Sequence, residues 1–291
     1  MSEETRPAGT GTLYVCPTPI GNLEDITIRT LKVLRRVHLI AAEDTRKVRI
    51  LLERYRVRVP VISYHQHNEA RRTEYLLSCL REGRDVALVS EAGTPGISDP
   101  GGRVLEAAIG EGLPVVVLPG PTALIPALLL SGLPARRFAF EGFLPRQPGK
   151  RRKYLESLAR EERTLVLYEA PHRLEETLAD LLAVLGNRRA AVARELSKVH
   201  EEVVRGPLAF LLEHFRLHPP RGELVVVVEG DRAREDHDWD RLVQEVAERR
   251  RAGLPLAEAV RVVAKSHGVG RRELYRLVLE QEAAPPEEPP P

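Results

Sequence analysis

A rhythm near the start of the chain leaves few folds open to it. Four short apolar runs, "TLYVC" (12–16), "VHLIAAE" (37–43), "DVALVS" (85–90) and "PVVVLP" (114–119), each precede a longer stretch of helical periodicity. Strands that return parallel to one another need a crossover helix, so the alternation predicts βαβ units and a mostly parallel sheet. The runs are apolar almost throughout, as expected where helices cover both faces of the sheet. With 291 residues, 43% of them apolar, the chain can build more than one such core.

The rhythm breaks at "GFLPRQPGKRRK" (142–153), where proline, glycine and five cations suggest a linker. A second α/β block is expected beyond it, with strands over 163–169, 190–195 and 223–230 and helices near 172–185 and 207–217. From Asp238 onward only helical periodicity remains, in three short segments separated by glycine or proline, consistent with a helix-turn-helix-like module. The expected organisation is a flexible N-terminus (1–11), an N-terminal α/β domain (12–141), a second α/β domain (142–233), a helical module (234–282) and a proline-rich disordered tail (283–291).

Several function classes drop out. No apolar stretch approaches the roughly 18 residues of a membrane span, and "MSEETRPAGTGT" lacks the layout of a signal peptide, so a soluble cytoplasmic protein is expected. Cys16 and Cys79 have no partners at metal-ligand spacing, and no metal is expected. There is no GxxxxGK[ST], and no GxGxxG followed by an acid at the dinucleotide-binding spacing. The net charge of +2 conceals 38 arginines against 6 lysines. Arginine's planar fork suits phosphate, although heat tolerance or genome composition gives the same bias.

Open α/β sheets bind ligands at the carboxyl ends of their strands. Three loops rich in small residues fall at such ends: "PTPIGNLEDIT" (17–27), "SEAGTPGISDPG" (90–101) and "PGPTALIP" (119–126). One such loop is explained by turn geometry alone, whereas three together suggest a binding cleft.

The ordered motifs "LYVCPTPIGNLEDIT", "AAEDTR", "HQHNE", "SEAGTPGISDPG", "PGPTA", "LYEAPHR" and "RELSK" resemble those of the tetrapyrrole-methylase-like (class III) methyltransferases. Within that family they are most similar to the branch acting on small-subunit ribosomal RNA, as is "RVVAKSHGVGRRELYRLVLE" near the C-terminus. The resemblance implies two α/β domains with an S-adenosylmethionine cleft between them, a homodimer, and methyl transfer to the 2′-hydroxyl of a cytidine ribose. It places the cofactor against Pro19 and Ile20, against Ser90, Gly93, Thr94, Ile97, Ser98 and Asp99, and against Thr122 and Ala123. From the second domain it implies Tyr168, Glu169, Ala170, Glu195 and Leu196. Tetrapyrrole methylases usually have a glycine-rich first loop; Pro17 and Pro19 depart from that pattern and favour an RNA over a tetrapyrrole precursor, the alternative substrate.

A sulfonium methyl is already electrophilic, so the protein must orient the acceptor hydroxyl and take its proton. The candidates for that base are Asp99, Glu69, His67 and Lys198. Each also has a purely structural reading: Asp99 or Ser98 as a helix N-cap, His67 and Glu69 as part of a solvated helix start, Lys198 as a surface ion pair. Lys198 qualifies only if desolvation lowers its pKa. Asp44 or Thr45 caps the next helix, or Glu43, Asp44 and Arg46 line the RNA side of the cleft; His172 and Arg173 face the cofactor or a phosphate. Phosphate contacts are sought in "RQPGKRRK", Arg249 to Arg251 and Arg271–Arg272. A non-catalytic nucleic-acid-binding protein would rest on the C-terminal helices alone.

Overall fold

The computed structural model describes residues 9–231, 239–267 and 269–283. The expected flexible start up to residue 8 and the proline-rich tail from 284 lie outside the described residues. Residues 9–230 belong to one compact unit and the C-terminal helices to another.

The first sheet contains β1 (Leu13–Val15), β2 (Leu39–Ala42), β3 (Val61–Ser63), β4 (Val86–Val89) and β5 (Val115–Val117) in the order β3-β2-β4-β1-β5. All its pairings are parallel. The crossovers are α1 (Ile28–Arg36), α2 (Thr45–Arg54), α3 (Glu69–Arg81) and α4 (Gly102–Gly110), and α5 (Leu124–Ser131) follows β5. Successive strand residues point to opposite faces. Thus Tyr14, Ile40 and Ala87 pack under Val33 and Leu34 of α1 and Leu51 and Leu52 of α2. Their neighbours Leu13, Ala41 and Leu88 pack under Leu76 and Leu80 of α3 and Val104 of α4. Burial on both faces explains why these strands are apolar throughout.

The second sheet comprises β6 (Phe138–Phe143), β7 (Thr164–Glu169), β8 (Arg189–Arg194), β9 (Glu202–Pro207) and β10 (Leu224–Val228), ordered β6-β7-β10-β8-β9. It is mixed. β6 pairs parallel with β7, while β10 runs antiparallel to both β7 and β8, and β9 antiparallel to β8. Its helices are α6 (Pro148–Ser157), α7 (Leu174–Leu185) and α8 (Leu208–Leu217). Leu155, Leu178 and Leu211 from these three cover one face; Ala127 and Leu128 of α5 pack against Val166, Ala193, Val225 and Val227 on the other. The last helix of the first α/β run thus completes the second sheet.

Two expectations need correction here. The boundary after residue 141 falls inside β6, whose register shifts between Phe140 and Gly142 and so hides the strand pattern. The cationic stretch 142–153 is not a linker: from Pro148, which suits a first helical turn, it forms α6. Arg151, only 2% exposed, directs Nε to Asp180 Oδ2 of α7 at 2.7 Å, and Arg152 Nε reaches Oδ1 of the same carboxylate at 2.6 Å.

The C-terminal unit consists of α9 (Trp239–Arg251), α10 (Leu256–His267) and α11 (Arg271–Ala283), closed around Leu242, Val246, Val260, Val263, Leu274 and Val278. No helix among the described residues is long and apolar enough to cross a membrane.

Candidate functional site

The three loops at the carboxyl edge of the first sheet are stitched into one wall. Thr18 N–H donates to Gly93 O at 2.8 Å and Gly93 N–H returns to Thr18 O at 2.9 Å, an isolated bridge between the first and second loops. The Thr94 hydroxyl donates to Pro121 O of the third loop at 3.0 Å. Gly120 is required where that loop crosses the first, since a Cβ there would lie 2.6 Å from Pro17 Cβ. Ser90 is buried behind the wall, its hydroxyl donating to Gly93 O at 3.1 Å.

The second loop is held in an unusual backbone conformation. Gly93 and Gly96 have φ near +80°, which glycine adopts freely, but Ser98 also has φ +62°. Glu195 (φ +52°) and Ser197 (φ +62°) repeat this in the loop after β8. A non-glycine residue held this way costs on the order of 1–3 kcal/mol, and such strain collects at functional sites.

Between these loops lies a cleft of about 360 Å³. Ile20, Glu43, Glu91 to Thr94, Ile97 to Asp99, Thr122 and Ala123 line it from the first-sheet side. Phe143, Tyr168 to Pro171, Leu196 and Gly222 to Val225 line it from the second. Tyr168 spans the two, with its ring edge-on to Phe140 and Phe143 at 4.9 and 5.7 Å and its hydroxyl directed to Thr122. The carboxylate of Glu169 turns away to the Thr177 hydroxyl of α7 at 2.5 Å.

Most of the residues implied to hold the cofactor therefore meet in one cleft. Pro19, Ser90 and Glu195 do not line it; Ser90 and Glu195 support residues that do. Glu195 Oε1 accepts from Glu223 N–H at 3.0 Å, and Gly222 (φ +85°) leaves room for that carboxylate, which any Cβ at 222 would overlap. The lining residues Phe143, Pro171 and Gly222 to Val225 are additional to those the sequence suggested, while Glu43, expected on the RNA side of the cleft, lines it as well. Gly222 to Val225 escape the strand-end rule because antiparallel β10 presents its amino end to the cleft. The signal available was glycine immediately before the run "ELVVVV".

The four candidate bases separate clearly. Asp99 faces the cleft, and its pKa is raised to about 7, chiefly by burial and then by the charge of Glu43, with the Ser90 hydroxyl opposing and Glu91 and Glu223 adding to the rise. Neither Asp99 nor Ser98 caps the next helix: the N-cap of α4 is Gly101, with no side-chain capping bond. Glu69 lies behind the second loop, accepting from Tyr64 OH at 3.1 Å and from Gly101 N–H at 3.3 Å. His67 is exposed on the turn before α3, its ring 5.9 Å from that of His65. Lys198 Nζ is paired with Glu195 at 2.9 Å and Glu223 at 3.4 Å. Burial pulls its pKa down, but the two carboxylates outweigh that and raise it, so the neutral amine required of a base is disfavoured.

Glu43 shares the cleft with Asp99, and its carboxyl is raised by burial and by the charge of Glu91. Asp44 caps α2, its Oδ1 accepting from Arg46 N–H at 2.8 Å. Arg173 donates to Leu144 O and Pro145 O at 3.0 and 3.2 Å and fixes the β6–α6 connection, while His172 is exposed outside the cleft lining. Among the described residues no group of three or more His, Cys, Asp or Glu is arranged to hold a metal ion.

The family model for Tetrapyrrole (Corrin/Porphyrin) Methylases matches residues 12–212, and a model described as the RsmI C-terminal HTH domain matches residues 235–282. Curated relatives named "Ribosomal RNA small subunit methyltransferase I" include one from Synechocystis, 48% identical over 94% of this chain and 99% of its own length. A second, from Escherichia coli O157:H7, is 45% identical over 94% of this chain and 96% of its own length. Among solved structures, the uroporphyrin-III-C-methyltransferase of Thermus thermophilus is 26% identical with a TM-score of 0.52, covering 75% of this chain and 94% of that one. A diphthine synthase shares the fold at 14% identity and a TM-score of 0.59, over 75% of this chain and 90% of that one.

Proposed function

The chain belongs to the tetrapyrrole methylase family, and from that premise we propose that it methylates the 2′-hydroxyl of a cytidine ribose in small-subunit ribosomal RNA, with Asp99 as the general base. The substrate class rests on the name carried by relatives of 45–48% identity along nearly the whole chain. The chemistry rests on one observation: a carboxyl facing the shared cleft whose pKa is raised to about 7, first by burial and then by its carboxylate neighbours.

The cleft suits S-adenosylmethionine. Ile20, Ile97, Ala123, Leu196 and Val225 offer apolar surface for a nucleoside, and Gly93 lets it approach the backbone. Glu43, Glu91, Asp99 and Glu223 bring negative charge to a cofactor that carries a sulfonium and an amino group. When bound, S-adenosylmethionine supplies an electrophilic methyl. The chain's own residues do the rest: the stitched loops fix the acceptor's approach, and orientation of this kind supplies about 7–11 kcal/mol. Asp99 Oδ accepts the ribose hydroxyl proton as the oxygen attacks, and a placed base contributes roughly 10²- to 10⁴-fold. Its raised pKa makes it a stronger base than an ordinary aspartate, while at pH above about 7 it is still mostly ionised.

The working form is proposed to be a cytoplasmic homodimer. An exposed apolar patch supports the second copy, since Ile125, Leu129 and Leu130 of α5 are all solvent-facing large hydrophobics, as is Val117 of edge strand β5. Labelled S-adenosylmethionine offered in parallel to assembled small subunits, naked small-subunit rRNA and a tetrapyrrole tests the reading. Label on the rRNA, at the ribose of a cytidine, is the expected result; label on the tetrapyrrole alone overturns it.

A further inference from the structure

We infer that the solvent face of α1 and α2 is the surface that grips the phosphate backbone of the RNA substrate and delivers the target ribose to the cleft. The inference rests on the function proposed above and names where its macromolecular substrate is held. Residues 28–58 carry ten Lys and Arg against three Asp and Glu, in a chain whose overall balance is only +2. Hydrophobic packing turns one side of both helices into the same face of the first sheet, which leaves Arg29, Lys32, Arg35, Arg49, Arg54 and Arg58 exposed together on that side of the molecule.

Three features separate this surface from an ordinary solvated one. First, among the described residues none of these six cations has a carboxylate within ion-pair distance, so their charge is not neutralised locally as it is at Arg81, paired with Glu74 and Glu111, or at Arg216, paired with Glu175. Second, neither α1 nor α2 has an acid in its first turn. Arg29 instead sits in the first turn of α1, where the helix dipole disfavours a cation, so local stability is given up to place positive potential there. Third, both helices begin at the cleft. α1 follows the loop holding Ile20, α2 follows Glu43, and Lys47 in the first turns of α2 pairs with Glu91 of the second loop. A polyanion lying along the two helices is thus led to the negatively charged cleft, where only the ribose and not the phosphate needs to enter. The cationic stretch 142–153 is a poorer candidate because Arg151 and Arg152 are already committed to Asp180.

The test compares wild type with the triple variant Arg29→Glu, Lys32→Glu, Arg49→Glu. Glutamate is a good helix former and is favoured near helix N-termini, so the variant should melt no lower than wild type. KM for small-subunit rRNA should rise about tenfold or more at 0.1 M salt, and the plot of log affinity against log salt should flatten by about 2–3 in slope, as for the loss of three phosphate contacts. kcat at saturating RNA and the calorimetric Kd for S-adenosylhomocysteine should stay within about twofold, because no cleft residue changes. A charge-matched control, Lys150→Glu, Lys153→Glu, Arg160→Glu, should leave KM within about threefold. If wild type methylates rRNA and the first variant does so with unchanged KM and salt slope, the surface is wrong and the function stands. Equal damage from the control overturns the surface as well. So does an unchanged KM for RNA accompanied by lost binding to phosphatidylglycerol vesicles, which would assign the face to a membrane. If wild type transfers no methyl to rRNA in any form, the function itself fails and the inference with it.

Discussion

The two walls of the cleft are built in contrasting ways. The first-sheet wall is a set of loops leaving the carboxyl ends of parallel strands, locked by short backbone bonds such as Thr18 to Gly93. The second-sheet wall mixes strand ends of both directions, with the carboxyl end of β7 beside the amino end of antiparallel β10, and is locked largely by side chains such as Glu195 with Lys198 and Glu223. Both walls contain non-glycine residues at positive φ, so both store strain where a ligand would sit. The proposed chemistry is nevertheless one-sided. Asp99 stands on the first wall, and the carboxylates of the second either pair with Lys198 or turn into the core.

The sharpest way to break this contrast is to remove the acid–base group from one wall and a charge from the other. Asp99→Asn should lower kcat by about 10²- to 10⁴-fold while keeping the calorimetric Kd for S-adenosylhomocysteine within several-fold. Lys198→Ala should cost less than about tenfold in kcat; a larger loss from Lys198 would move the chemistry to the second wall.

Next in size is a contrast in stability. Arg151→Ala leaves Asp180 buried with only Arg152 beside it and should cost roughly 3–5 kcal/mol in denaturant unfolding. On the first-sheet side, Arg81→Ala breaks exposed pairs with Glu74 and Glu111 and should cost no more than about 1 kcal/mol. Equal losses would mean that the buried pair does not anchor α6 to α7.

Backbone space gives a smaller difference. Gly222→Ala meets both a positive φ and the Glu195 carboxylate, and should destabilise by about 1–3 kcal/mol and weaken cofactor binding. Gly102→Ala, at the start of α4 with nothing within 4 Å of its Cβ and no positive φ, should stabilise by about 0.5–1 kcal/mol. The last contrast is in pH-dependent stability. The folded-state pKa of Asp99 lies above its unfolded value, so its stabilising contribution is complete below the ordinary aspartate range and is lost as pH rises through about 7. Relative to wild type, Asp99→Asn should therefore gain melting temperature between about pH 4 and pH 8.

Legibility in the sequence follows the same division. Strands β1, β2 and β4 of the first sheet announce themselves because burial on two faces leaves them apolar throughout, and the edge strand β5 is equally apolar although Val117 is exposed. The edge strand β3 and, in the second sheet, β6 and β9 do not, since Glu141 and Gly142 interrupt one and the half-exposed "EVVRGP" forms another. Asp99 was readable as a site residue, but its loss of the capping role depended on Gly101 taking the N-cap and on Glu69 supplying a bond to the Gly101 amide. Strand direction was the missing information for Gly222 to Val225: the apolar run "LVVVV" is compatible with either direction, and only pairing with β7 and β8 decides which end meets the cleft. Arg151 looked like one cation among five until a carboxylate 29 residues away claimed it.

The central claim is that Asp99 is the base of a cleft shared by both sheets. The most direct test is the single-turnover rate of methyl transfer to rRNA as a function of pH, for wild type and for Asp99→Asn, at saturating cofactor. Because the ionised carboxylate is the active form, the wild-type rate should rise with pH and level off with an apparent pKa near 7, and the much slower variant should lack that titration. A wild-type rate flat from pH 5.5 to 8.5, or a variant that keeps both the rate and the titration, would contradict it.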